Sequence, residues 1–119
     1  MRVAITSQGE TQESMLDERF GRAARILVVD TEDGRMESID NTAGVSASQG
    51  AGIQTAERVA GLGVGALITV HCGPKAFAVL QHAGVEVWSS PPGTVAEALK
   101  GFREGRLARL GSADVATHW

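Results

Sequence analysis

The chain is poor in the residues from which most protein-built sites are made. Its 119 residues hold one cysteine, Cys72, and three histidines. A lone thiol closes no internal disulfide, and neither a CxxC pair nor zinc-type spacing occurs. One cysteine and three histidines also fall short of a four-ligand zinc cage or a cysteine-held iron–sulfur cluster. No apolar run approaches the length of a membrane span. Met1-Arg2 leads straight into a strand-like run, without the pattern of a secretory signal. The expected setting is cytoplasmic and reducing, where the thiol stays reduced.

Other signatures are missing as well. A basic excess is absent: the net charge is −3, which argues against general nucleic-acid binding. No GxxxxGK[ST] loop occurs, and SQGAG at 48–52 is no dinucleotide fingerprint, because the third glycine would fall at Thr55. The first strand, RVAITS, carries no carboxylate, so a two-metal nuclease lacks its chemistry. A cysteine phosphatase would need Arg six positions after Cys72, where Ala78 stands. For a papain-like pair the remaining histidines are poorly placed, His82 in the same helix and His118 in the tail.

What is present reads as one α/β domain. Hydrophobic residues make up 43% and charged residues 21%, ordinary for a globular protein of a size that buries its own core. Residues 2–7 read as a buried strand and 25–30 (RILVVD) as a second. Asp33-Gly34 marks the tip of a hairpin leading to an edge strand over 35–40. A helix over about 50–61 places Ile53, Ala56, Val59 and Ala60 on one side. GALITV, 65–70, reads as a strand covered on both faces. Pro74 opens the next helix, with Phe77, Leu80 and Ala83 as its buried stripe and Gly84 closing it. VEVWS is a short strand, and Thr94 with Glu97 forms a capping box before a third helix carrying Val95, Ala98, Leu99 and Phe102. Strands alternating with helices require crossovers and a largely parallel sheet. The expected architecture is therefore a three-layer α/β/α domain over 1–105 with a mixed five-stranded sheet, followed by a flexible tail over 106–119.

Three stretches carry candidate chemistry. In VHCGPKA, Cys72 stands between a strand and the first turn of a helix, with His71, Gly73 and Lys75 around it. Ligands bind beyond the carboxyl ends of strands in open α/β sheets, and a helix N-terminus favours negative charge and a thiolate. A buried structural cysteine is the competing reading. In LDERFGRA, 16–23, Leu16 and Phe20 anchor a loop from which Arg19 and Arg22 can reach a ligand. Asp17 or Glu18 pairing with those arginines is the plainer alternative. In SQGAG, Gly50 and Gly52 let backbone N–H groups come close to a ligand, or simply start a helix.

Taken in order, LDERFGRA, Asp40-Asn41, the glycine-rich helix start, CGPKA and TVAEAL resemble the dinitrogenase iron–molybdenum cofactor biosynthesis family, the small domains similar to NifX and to the C-terminal part of NifB. The resemblance spans nearly all of residues 1–105. It implies a ribonuclease H-like motif with strand order 3-2-1-4-5 and strand 2 antiparallel. It also implies a binding or carrier protein rather than an enzyme, whose cargo is an anionic molybdenum-containing metal–sulfide cluster. A precursor of the iron–molybdenum cofactor is the alternative cargo. The orange-protein branch, which stands alone as a single domain, is linked to a molybdenum–copper sulfide cluster and to MinD-type P-loop ATPases. On this resemblance Arg19, Arg22, Gly50, Gly52, His71, Gly73 and Lys75 would line the cofactor site and Cys72 would be the candidate metal ligand. Neither nucleic acid nor membrane is expected as a partner. A regulatory module acting with an ATPase and no cluster, and a small thiol enzyme using Cys72, are the competing readings.

Overall fold

The computed structural model describes residues 1–42, 45 and 50–111. Its strands are β1 (Arg2–Ser7), β2 (Arg25–Asp30), β3 (Met36–Asp40), β4 (Ala66–Thr69), β5 (Glu86–Ser89) and β6 (Ala108–Arg109). Its helices are α1 (Ala51–Ala60), α2 (Pro74–His82) and α3 (Val95–Arg103). One sheet runs in the order β3-β2-β1-β4-β5-β6. β2 is antiparallel to both β1 and β3, β1-β4 and β4-β5 are parallel, and β6 returns antiparallel to β5. The expected order 3-2-1-4-5 and the reversed second strand are both present.

Alternation along the strands sorts the core into two layers. Ala4, Ile26, Val28, Leu67 and Val87 face one side, packed with Ala56 and Val59 of α1 and Ala76, Phe77 and Leu80 of α2. Val3, Ile5, Leu27, Val29, Ala66 and Ile68 face the other, under Val95, Ala98 and Leu99 of α3. β4 is buried along its whole length because helices cover both its faces. Each fully buried Leu or Ile there contributes about 2 kcal/mol through area removed from water.

The capping box of α3 is fully formed. Glu97 N donates to Thr94 Oγ1 at 3.1 Å, and Thr94 N donates to Glu97 Oε1 at 2.9 Å. Phe102 meets Trp88 edge to face with centroids 5.5 Å apart.

Three sequence expectations need correction. In α1, Ile53 and Ala60 are only half-buried while Thr55 takes an inward position, and Ala83, the C-cap just past α2, is exposed. The sheet has six strands, since part of the segment set aside as tail pairs with β5. Leu110 N also donates to Val87 O at 2.8 Å, and Leu107 and Leu110 rest against the two core layers. An otherwise open strand edge is thereby covered. Residues 112–119 of the expected tail lie outside the described residues. Among the described residues no helix is long and apolar enough to cross a membrane.

Candidate functional site

The parallel strands β1, β4 and β5 all end at one edge of the sheet, where the three candidate stretches meet. The loop that leaves β1 is fastened there by its own acid. Asp17 Oδ1 accepts from Arg19 N at 3.3 Å and Oδ2 from Ala24 N at 3.2 Å. Asp17 N donates to Thr6 O at 3.1 Å, and the Thr6 hydroxyl donates to Asp17 O at 3.2 Å. Thr6 Oγ1 also lies 2.9 Å from Thr69 Oγ1, a buried pair joining the ends of β1 and β4. The Asp17 carboxylate therefore serves the loop backbone, and the exposed Arg19 extends from a tied segment. Phe20 is fully buried, as expected of an anchor.

From this tether the loop runs against both remaining stretches. Arg19 forms a parallel bridge with His71 just past β4. Gly21 presses on the start of α1: a Cβ there would lie 2.5 Å from Gly52 N and 2.7 Å from Gly52 Cα. A Cβ at Gly52 would in turn lie 3.5 Å from Ala76 Cβ in the first turn of α2. The N-termini of α1 and α2 are thus side by side, with the Arg19–Arg22 loop against them. Gly50 caps α1 at φ 76°, a left-handed conformation that glycine adopts without strain. The N-cap residues, Gly50 and Gly73, have no side chain to cap with, among the described residues no other side chain caps either helix, and neither has an acid in its first turn. The first-turn N–H groups of a helix have no partner within the helix and carry the positive end of its dipole. Arg22 is half-buried, with its Nη1 3.4 Å from Val45 O, and Lys75 is exposed on the first turn of α2.

In VHCGPKA, Cys72 follows the competing, buried reading, and His71 faces a second cleft as well as meeting Arg19. The Cys72 thiol is fully buried in the layer containing Phe20, Ile26 and Phe77, with Sγ 3.7 Å from Gly73 O. It lies beneath the mouth and does not line its surface. His71 borders a neighbouring cleft of about 440 Å³, together with Ser89, Ser90, Pro91 and Arg106. Arg106 is tied there by Glu104, at 2.7 Å from Nη2.

The sequence model of the dinitrogenase iron-molybdenum cofactor family matches residues 1–105. The chain belongs to that family. An uncharacterized protein of Methanocaldococcus jannaschii is 34% identical over 98 residues, 80% of this chain and 82% of that one. Among solved structures, the apo form of the orange protein from Desulfovibrio gigas superimposes with a TM-score of 0.92 at 38% identity, over 96% of each chain. A NifB-like protein from Thermotoga gives 0.83 at 38% identity, over 96% of this chain and 97% of its own.

In this member of the dinitrogenase iron-molybdenum cofactor family, two residues matter that carried no assigned role in the sequence. Asn41 and Thr55 are each 1% exposed and meet under the loop. Asn41 Nδ2 donates to Ala23 O at 2.8 Å and lies 3.2 Å from Thr55 Oγ1; the Thr55 hydroxyl donates to Gly21 O at 2.9 Å. A signal existed: Ala51, Thr55 and Val59 recur at four-residue spacing on the buried side of α1, and a buried threonine there needs a partner. Asp40, beside Asn41, is held below its ordinary carboxylate value chiefly by the Thr42 hydroxyl, which donates to it at 2.6 Å.

Proposed function

We propose that this end of the sheet receives a preassembled, anionic metal–sulfide cluster and carries it without turning it over. The observation that carries the reading is the pair of adjoining helix N-termini, both with glycine N-caps and without first-turn acids, beside a loop bearing two arginines. Such an arrangement attracts negative charge and offers backbone donors at close range. The donor set also favours a cluster over a bare ion. Among the described residues no group of three or more His, Cys, Asp or Glu side chains could hold a metal ion. A cluster that brings its own sulfides needs cations, N–H donors and apolar cover instead. Arg19, Arg22 and Lys75 would supply charge, the backbone at Gly50, Gly52 and Gly73 the donors, and His71 a polar rim. Cys72 supports the floor from below.

The family's description supports molybdenum as the metal to propose, and a molybdenum–copper sulfide is the first cargo to test. The full chain, titrated without oxygen with tetrathiomolybdate and copper, should develop absorption bands that neither reagent shows. Molybdenum and copper should co-elute with the protein on gel filtration, less completely as salt is raised, because exposed cations are screened. Spectra equal to those of the reagents, with metal-free protein emerging from the column, would sink the proposal. Uptake of an iron–molybdenum–sulfur precursor in its place would keep the carrier and change the cargo.

A further inference from the structure

We infer that Asn41 and Thr55 form a latch that turns the negative groups of the Arg19–Arg22 loop inward, and that they are positioning residues for the anion mouth. A peptide carbonyl is the negative end of a dipole of about 3.5 D, so a loop facing an anion must direct its carbonyls elsewhere. This loop does so at four carbonyls, those of Phe20, Gly21, Ala23 and Ala24. Gly21 O accepts from the Thr55 hydroxyl at 2.9 Å and more weakly from Asn41 Nδ2 at 3.5 Å. Ala23 O accepts from Asn41 Nδ2 at 2.8 Å, and Ala24 O from Asn41 N at 3.1 Å. Phe20 O accepts from Ala23 N at 3.3 Å. The Asp17 carboxylate is already engaged by two N–H groups of the same loop.

The direction of these bonds follows from burial. Both latch side chains are 1% exposed, so carbonyls bonded to them point into the protein. The chemistry of the pair is also constrained. Only the NH2 of Asn41 can face two carbonyl oxygens, which fixes its amide orientation. The single Thr55 proton goes to Gly21 O, the nearer acceptor, compared with 3.4 Å to Asn41 Oδ1. An ionised carboxylate at 41 would meet Ala23 O and Gly21 O with no proton to give, and a protonated one could serve only one of them.

The latch lies behind the loop and bonds its carbonyls from the buried side. Its effect on a ligand therefore acts through the fraction of protein whose loop is correctly set, and apparent affinity falls with that fraction. This inference rests on the anion-carrier reading, and the test separates the two. Thr55→Val keeps the shape and removes the hydroxyl, whereas Thr55→Ser keeps the hydroxyl; Thr55→Ala repeats the deletion with a smaller side chain. Two quantities are measured on the full chain well below its melting temperature: amide hydrogen exchange without ligand, and the dissociation constant for tetrathiomolybdate without oxygen. In Thr55→Val, exchange over residues 19–24 should quicken about tenfold with β1 and β4 unchanged. Binding should weaken about tenfold, equivalent to about 1.4 kcal/mol, and Thr55→Ser should restore both. Wild-type affinity in Thr55→Val overturns the latch, as does an equal loss in Thr55→Ser. If the wild type itself binds no tetrathiomolybdate, that cargo is ruled out, and the carrier reading then stands only on uptake of an iron–molybdenum–sulfur precursor. Exchange then decides the latch alone: quickening confined to 19–24 upholds it, and unchanged or uniformly faster exchange overturns it.

Discussion

A methyl group added at Gly21 would enter space already filled by the start of α1. Its carbon would sit 2.5 Å from Gly52 N, 2.7 Å from Gly52 Cα and 2.8 Å from the Ala51 carbonyl carbon. All three are backbone atoms, so no side chain can rotate away, and either the loop or the first helical turn must move. Gly21 is outside the set of glycines with positive φ, so alanine there carries no left-handed penalty. Without the clash, Gly21→Ala would stabilise the fold by about 0.4–1 kcal/mol, by restricting the unfolded chain. Overpacking of this kind costs about 1–3 kcal/mol, and the net expectation is a loss of about 1–2 kcal/mol. Gly52→Ala is the internal control: its methyl would meet Ala76 Cβ at 3.5 Å, ordinary contact, at a helical position that favours alanine. Urea unfolding followed by far-UV circular dichroism separates them. Gly21→Ala should lower the midpoint by about 1 M with the slope unchanged, and Gly52→Ala should hold or raise it. A Gly21→Ala midpoint at the wild-type value would refute the reasoning, as would equal damage from the two substitutions.

Charge reversal at Arg19 and Arg22 together should abolish tetrathiomolybdate retention on gel filtration while leaving the circular dichroism spectrum intact. Glu18→Gln, which removes an exposed acid from the same loop, should tighten retention at low salt. Alkylation of Cys72 in the folded protein should run roughly a hundredfold slower than in urea, because the buried thiol reacts only after local opening. A rate near that of an unfolded thiol would place it at the surface. Thr94→Ala should cost about 1 kcal/mol by removing the α3 cap, read as a lower urea midpoint. Glu97 is held below its ordinary value of 4.5 by accepting from the Thr94 backbone N–H and hydroxyl. Its folded-state value is depressed, so its contribution is complete above that ordinary value and is lost as pH falls through the folded one. Acid titration of wild type against Glu97→Gln should therefore show the two stabilities converging in that window.

The sequence marks most elements clearly because their ends carry specific chemistry. Pro74 in the first turn and Gly84 after the last turn bracket α2, and Thr94 with Glu97 opens α3. β6 is not legible, since two residues carry no period; only Leu107 and Leu110 on either side hint at packing. The orientation of Cys72 escapes for a related reason. Along β4, Leu67 faces the α1–α2 layer while Ala66, Ile68 and Val70 face the other. Continuing that alternation would place Cys72 with Val70. The chain leaves the sheet after Thr69, the parity slips, and the thiol turns into the α1–α2 layer instead. The spacing of Ala51, Thr55 and Val59 signals that Thr55 is buried, but the partners of Asn41 and Thr55 escape because they are main-chain carbonyls, which no sequence pattern displays. The contact between Gly21 and Gly52 is likewise a tertiary event, and sequence shows only that both positions lack a side chain.

The N-termini of α1, α2 and α3 divide the work of the fold. At α3 the Thr94–Glu97 box acts together with Val95 N to Ser14 O at 2.9 Å and Ala96 N to Gln12 O at 2.8 Å, so its first turn is closed by the protein itself. At α1 and α2 the N-caps are glycines and, among the described residues, no side chain does this, while the loop against them turns four of its carbonyls away. The uncapped pair shares one layer, on the face of the sheet opposite α3, so the closed and open ends are separated by the sheet. Stability should consequently be separable from anion affinity. Thr94→Ala should weaken the fold and spare tetrathiomolybdate binding, whereas Thr55→Val, which leaves Gly21 O and Asn41 short of a buried partner, and Gly21→Ala, at the junction of loop and helix, should harm both. Were Thr94→Ala to lose affinity as much as Thr55→Val, the mouth would not be the independent unit that its hydrogen bonding describes.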